Sequence, residues 1–86
     1  MSYPQRLASI DTVRAVLTEG PIRLRFPETG RKTMLLDSLT ASAIVAVYDG
    51  LSTENQAKLA EMLKSPAKFM RVVDFAFKHV KGVVAS

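Results

Sequence analysis

Residues 22–36 read Ile22-Arg23-Leu24-Arg25-Phe26-Pro27-Glu28-Thr29-Gly30-Arg31-Lys32-Thr33-Met34-Leu35-Leu36, and this stretch decides the fold class. Ile22, Leu24 and Phe26 alternate with Arg23 and Arg25, the period-two pattern of a strand with one buried face. Pro27-Glu28-Thr29-Gly30 is turn chemistry, with Gly30 able to supply the positive φ of a bulged type I hairpin. Pairing Pro27 with Arg31 across the turn sets Phe26 opposite Lys32, Leu24 opposite Met34 and Ile22 opposite Leu36. The apolar partners then share one face while Arg23, Arg25, Thr33 and Leu35 share the other, so the pattern alone fixes the register.

Outside this hairpin the signals are helical. Upstream, Ser9 can cap a short helix, Asp11 suits its positive end, and Ile10, Val13, Val16 and Leu17 recur at helical spacing. Gly20-Pro21 stops it. Downstream, Asp37 or Ser38 caps a helix running to about Asp49. Its Leu39, Ala43, Ile44, Val45, Val47 and Tyr48 occupy most of the circumference, the mark of a central, buried helix. Gly50 ends it and Ser52 or Thr53 opens the next, where Thr53 and Gln56 have capping-box spacing. Leu59, Ala60, Met62 and Leu63 face inward there, and Glu54–Lys58 is an i,i+4 pair on the outside. Ser65-Pro66 starts a last helix extending to Gly82, with Phe69, Val72, Val73, Ala76 and Val80 at spacings of three and four. The expected architecture is α+β: a short N-terminal helix, a β-hairpin, then three helices packed as a small bundle against the hairpin. Residues 1–86 are expected to form a single small domain, with about eight N-terminal and four C-terminal residues frayed.

A chain of 86 residues buries only about 60–65% of its unfolded surface. Without cysteine, no disulfide or thiolate metal site reinforces that modest core. A 48% apolar composition is nevertheless ample for folding and argues against disorder. The net charge of +4 permits an acidic partner, nucleic acid included. Met1-Ser2-Tyr3-Pro4-Gln5-Arg6 has no charged-then-apolar leader pattern, and no apolar run approaches the ~18–20 residues of a membrane span. A cytoplasmic protein that does not enter membranes is the expectation.

Catalysis finds little support. His79 is the only histidine, and the residues three and four before it are Ala76 and Phe75, so no local carboxylate orients it. One histidine, no cysteine and scattered acids give no metal-ligand spacing, and Gly20, Gly30, Gly50 and Gly82 each coincide with a turn or stop instead of a phosphate loop. The expectation is no enzyme, no cofactor, no metal and no small-molecule substrate.

Binding is the remaining class. Residues 42–61 resemble the helix-turn-helix pattern: Ala46, Gly50, Leu51 and Leu59 sit where it wants a small residue, a turn glycine and two apolar anchors. Gln56 departs from it, standing where an apolar residue belongs, and the second helix presents Thr53, Glu54, Asn55, Lys58 and Glu61, which is not a phosphate-seeking surface. Positive charge gathers instead between Lys64 and Lys81, where five cations face one anion. Lys68, Arg71, Asp74, Lys78 and Lys81 fall on the outer side of the last helix, with Phe75 at its edge beside Arg71 and His79. Arg23 and Arg25 form a second basic patch on the hairpin, where they also discourage edge-to-edge pairing. The first expectation is a small binding or regulatory module acting by protein–protein contact, with another protein or as a homodimer, through Lys68, Arg71, Phe75, Lys78 and Lys81. The alternative is a nucleic-acid-binding protein, using residues 42–61 or the basic C-terminal helix on phosphates.

Overall fold

The computed structural model describes residues 3–27 and 33–85. In chain order they form β1 (Gln5–Leu7), α1 (Ile10–Glu19), β2 (Ile22–Arg25), β3 (Thr33–Leu36), α2 (Ser38–Asp49), α3 (Thr53–Met62) and α4 (Pro66–Ala85). The fold is α+β, a three-stranded sheet against helices. β2 and β3 are antiparallel with Leu24 opposite Met34 and Ile22 opposite Leu36, the register that the alternation predicts. The Phe26–Lys32 pairing and the turn at Glu28–Gly30 lie outside the described residues.

The sheet has one strand more than the alternation foretold. Gln5–Leu7 runs parallel to β2, giving the order β1-β2-β3 with α1 as the crossover, whereas the sequence placed the first eight residues outside the fold. Three residues without apolar alternation carry no strand signal of their own; non-local partners make this one. The Arg23 N–H donates to the Pro4 carbonyl and the Ala8 N–H to the Arg25 carbonyl, both at 2.8 Å. Arg6 forks onto the Glu19 carboxylate at 2.6 and 3.0 Å, and the Thr12 hydroxyl donates to the Leu7 carbonyl at 2.7 Å.

Ser9 caps α1 by accepting from the Thr12 N–H at 3.2 Å, and Gly20 ends it with φ 89°, a backbone that side-chain-bearing residues rarely adopt. Thr12, Val13 and Val16 form its inner face. Leu17, expected inward, is 45% exposed, because the buried stripe is shifted toward Thr12 by the strand it anchors. Asp37 caps α2, accepting from the Thr40 N–H at 2.8 Å, and hydrogen bonding from Thr40, side chain then backbone, holds its carboxyl below the usual range. Ala41, Ala43, Ile44, Val45 and Val47 are buried, so α2 is the central helix, packed between α1 and α4. Leu39 is an exception at 71% exposed: it sits in the first turn, ahead of the region that its neighbours cover.

Ser52, not Thr53, caps α3, through the Asn55 N–H at 3.4 Å, which displaces the expected Thr53–Gln56 box. Gln56 instead donates to the Tyr48 carbonyl at 2.9 Å, satisfying an acceptor at the end of α2. Pro66 opens α4, and the Phe69 N–H reaches back to the Ser65 carbonyl at 2.7 Å. This helix passes through Gly82 to Ala85 instead of stopping there. A lone helical glycine costs only ~1 kcal/mol, less than is needed to end a helix whose neighbours remain helical. The core joins the inner face of the sheet to the helices: Phe26 meets Phe69 edge-to-face at 5.5 Å, among Ile22, Leu24, Leu36, Ile44 and Leu63.

Candidate functional site

The last helix buries Phe69, Val72 and Ala76, with Val73 half-buried beside them. One flank of that line carries Lys68, Arg71, Phe75 and Lys78, spaced three, four and three residues apart, so they form one continuous stripe. All four are exposed, Phe75 by 56%. His79 stacks toward Phe75, with ring centroids 6.4 Å apart and planes inclined by 27°.

Phe75 is the wall of a groove between α3 and α4. Leu51, Asn55, Leu59 and Met62 supply one side, and Arg71, Val72 and Phe75 the other, around a volume of about 320 Å³. Leu59 and Val72 are buried, while Leu51 and Met62 are half-buried, so the lining is almost wholly apolar. Asn55, Leu59 and Met62 line it because they lie at i, i+4 and i+7 on α3, one stripe about 10 Å long at 1.5 Å per residue. The volume lies at the low end of the ~300–1,000 Å³ typical of ligand pockets, enough for one or two anchoring side chains.

The charges around the groove are unequal. On α3, Lys58 pairs with Glu54 at 3.8 Å, and Glu61 pairs with Lys64 at 3.3 Å. Arg6 is held by Glu19. Arg14 is held by Asp49 and lies 5.5 Å above the Tyr48 ring, and the Asp49 hydrogen bond raises its pKa further. Lys68, Arg71 and Lys78, by contrast, make no ion pair among the described residues. The α4 rim therefore carries three cations against the single exposed carboxylate of Asp74, a net positive edge, while the α3 rim is neutralised.

Of the residues singled out from sequence, Lys68, Arg71, Phe75 and Lys78 are brought together on this stripe. The Lys81 side chain lies outside what is described. Arg23 and Arg25 stand apart on the outer sheet face, where Arg23 donates to the Thr33 hydroxyl at 3.4 Å beside Leu7 and Leu35, both over 40% exposed. Sequence reasoning missed Leu51, Asn55 and Met62 as groove residues, since a groove arises from the angle between two helices and no single periodicity records it. It also missed Met70 and Phe77, exposed by 46% and 36% on the other flank of α4.

Among the described residues, no group of His, Asp and Glu could hold a metal ion, and no buried side-chain nitrogen or oxygen lacks a partner. No helix there is long and apolar enough to cross a membrane. Comparison of the chain with protein-family models, with curated proteins and with solved structures finds no match.

Proposed function

We propose that this chain is a small non-enzymatic binding module that works by protein–protein contact through the groove between α3 and α4. The observation that carries this reading is Phe75, an exposed aromatic walling an apolar groove. Buried aromatic and arginine anchors dominate protein interfaces, and Phe75 and Arg71 stand side by side at the rim. An oriented nucleophile or a general base would be expected to show a charged or hydrogen-bonded neighbour. His79, with an aromatic ring as its recorded neighbour, gives no such support.

The test is site-specific photo-crosslinking from position 75 in cells making the protein, with exposed Ala57, two residues before Leu59 and so turned away from the groove, as control. A discrete protein adduct at 75 and none at 57 is the expected result. Adducts to nucleic acid, or equal yields from both positions, would overturn the proposal.

The second reading, nucleic-acid binding, is favoured by Lys68, Arg71 and Lys78, which make no ion pair among the described residues. With Lys81 as a fourth phosphate contact, the log–log salt slope would be about −3.6, at roughly −0.9 per contact. Absence of affinity for duplex DNA and RNA at low salt would remove it. Residues 42–61 contribute less to it, because Gln56 serves the Tyr48 carbonyl and the exposed cation Lys58 is engaged by Glu54.

A further inference from the structure

We infer that the occupant of this groove is an acidic amphipathic helical segment of another protein, an inference resting on the groove being a contact surface. Three features converge on that chemistry. The floor is apolar, and the α3 stripe Asn55–Leu59–Met62 repeats at the i, i+4, i+7 spacing with which a two-turn helix presents its own anchors. A phosphate finds no partner on such a floor, whereas leucine-sized side chains do. Above it, Lys68, Arg71 and Lys78 extend over ten residues of α4, about 15 Å or nearly three turns. Carboxylates on one flank of a docked helix would meet these cations in register.

The opposite rim adds direction. The α3 charges are already satisfied as Glu54–Lys58 and Glu61–Lys64, so that side offers a docked segment neither strong attraction nor repulsion. The electrostatic asymmetry therefore orients the segment, acidic flank toward α4 and neutral flank toward α3.

The same charges argue against a second copy. A two-fold interface brings the same patch from each subunit into one contact, which here would gather two Lys68–Arg71–Lys78 stripes within it. The chain as a whole carries +4, so like-charge repulsion opposes that pairing at every distance within the screening length.

The probe is a displayed library of 16-residue helical peptides. Apolar positions vary among Leu, Ile, Phe, Met and Ala, and polar positions among Asp, Glu, Lys, Arg, Gln and Ser. Selection on the full chain is expected to return peptides with a clear excess of Asp and Glu. Their affinity should fall about tenfold for the double variant Lys68→Glu with Lys78→Glu, because each exposed pair is worth up to about fivefold and reversal adds repulsion. It should fall for Phe75→Ala as well. Selected peptides that need Phe75 but are neutral or basic would overturn the acidic partner while leaving the groove as a contact surface. Peptides indifferent to Phe75→Ala would overturn both. So would a failure to enrich any peptide, and salt-steep duplex DNA or RNA binding lost in the double variant would then assign the stripe to phosphates.

Discussion

Replacing Phe75 by alanine should leave a folded protein, and the size of the loss follows from its exposure. A phenylalanine buries about 150–250 Å² when fully enclosed. With 56% of Phe75 exposed, only about 70–110 Å² is withdrawn from water, worth about 1.7–2.7 kcal/mol at ~25 cal/mol/Å². Alanine returns about 0.5 kcal/mol through better helix propensity, leaving a net cost of about 1–2 kcal/mol. Phe69→Ala is the contrast. That ring is 0% exposed and packed edge-to-face on Phe26, so its loss should cost about 3–5 kcal/mol. An 86-residue domain has about 4–13 kcal/mol of stability in total, so the first variant should survive and the second should lose a large share of that stability. Thermal melts by far-UV circular dichroism, with urea titrations for the slope, distinguish them. At about 4–8 °C per kcal/mol, Phe75→Ala should lower Tm by about 5–15 °C with unchanged urea slope. A cost equal to that of Phe69→Ala would show that Phe75 is core and that the groove is not a surface at all.

Gly20→Ala should destabilise by about 1–3 kcal/mol, since its φ of 89° is strained for any side chain although no atom lies within 4 Å of the added carbon. Gly50→Ala, at φ −86°, should instead stabilise by about 0.4–1 kcal/mol, and thermal melts of the two should move in opposite directions. Asp37 titrates lower folded than unfolded, so its cap contribution is complete above about pH 4 and fades as pH falls through the folded value. Asp37→Asn keeps a capping oxygen and loses that dependence; urea midpoints should then drop less between pH 5 and pH 2 than in the wild type, and equal drops would contradict the assignment. Thr12→Val removes the hydroxyl that holds the Leu7 carbonyl, and should cost about 1–2 kcal/mol with faster amide exchange at Ala8 and Arg23.

What the sequence showed and what it hid divide along local and non-local physics. The hairpin register was legible because Ile22, Leu24, Met34 and Leu36 repeat with period two, and a slip by one residue would expose them all. Ser9 and Asp37 were legible as caps because capping is satisfied within three residues. β1 was hidden because Gln5-Arg6-Leu7 owes its conformation to β2 and to Glu19, far along the chain. Ser52 was preferred over Thr53 once Gln56 had the Tyr48 carbonyl to serve, a partner that spacing does not reveal. At the site, the helical wheel placed Phe75 beside Arg71, but the α3 half of the groove depended on how two helices meet. Leu39 and Leu17 show the converse: an apolar residue at helical spacing is buried only where another element arrives to cover it.

The central claim is that contacts are made at the α3–α4 groove, and the chain's lack of tryptophan makes this directly observable. Phe75→Trp places a single indole on the groove wall, and Leu35→Trp places one on the outer sheet face as its control. Peptides selected on the wild-type chain, whatever their charge, are titrated into each variant while emission is recorded. Saturable blue shift in the Phe75→Trp protein, with Leu35→Trp unmoved, is the predicted result. Binding that shifts Leu35→Trp alone, or a Phe75→Trp emission that stays unchanged at saturation, would contradict it.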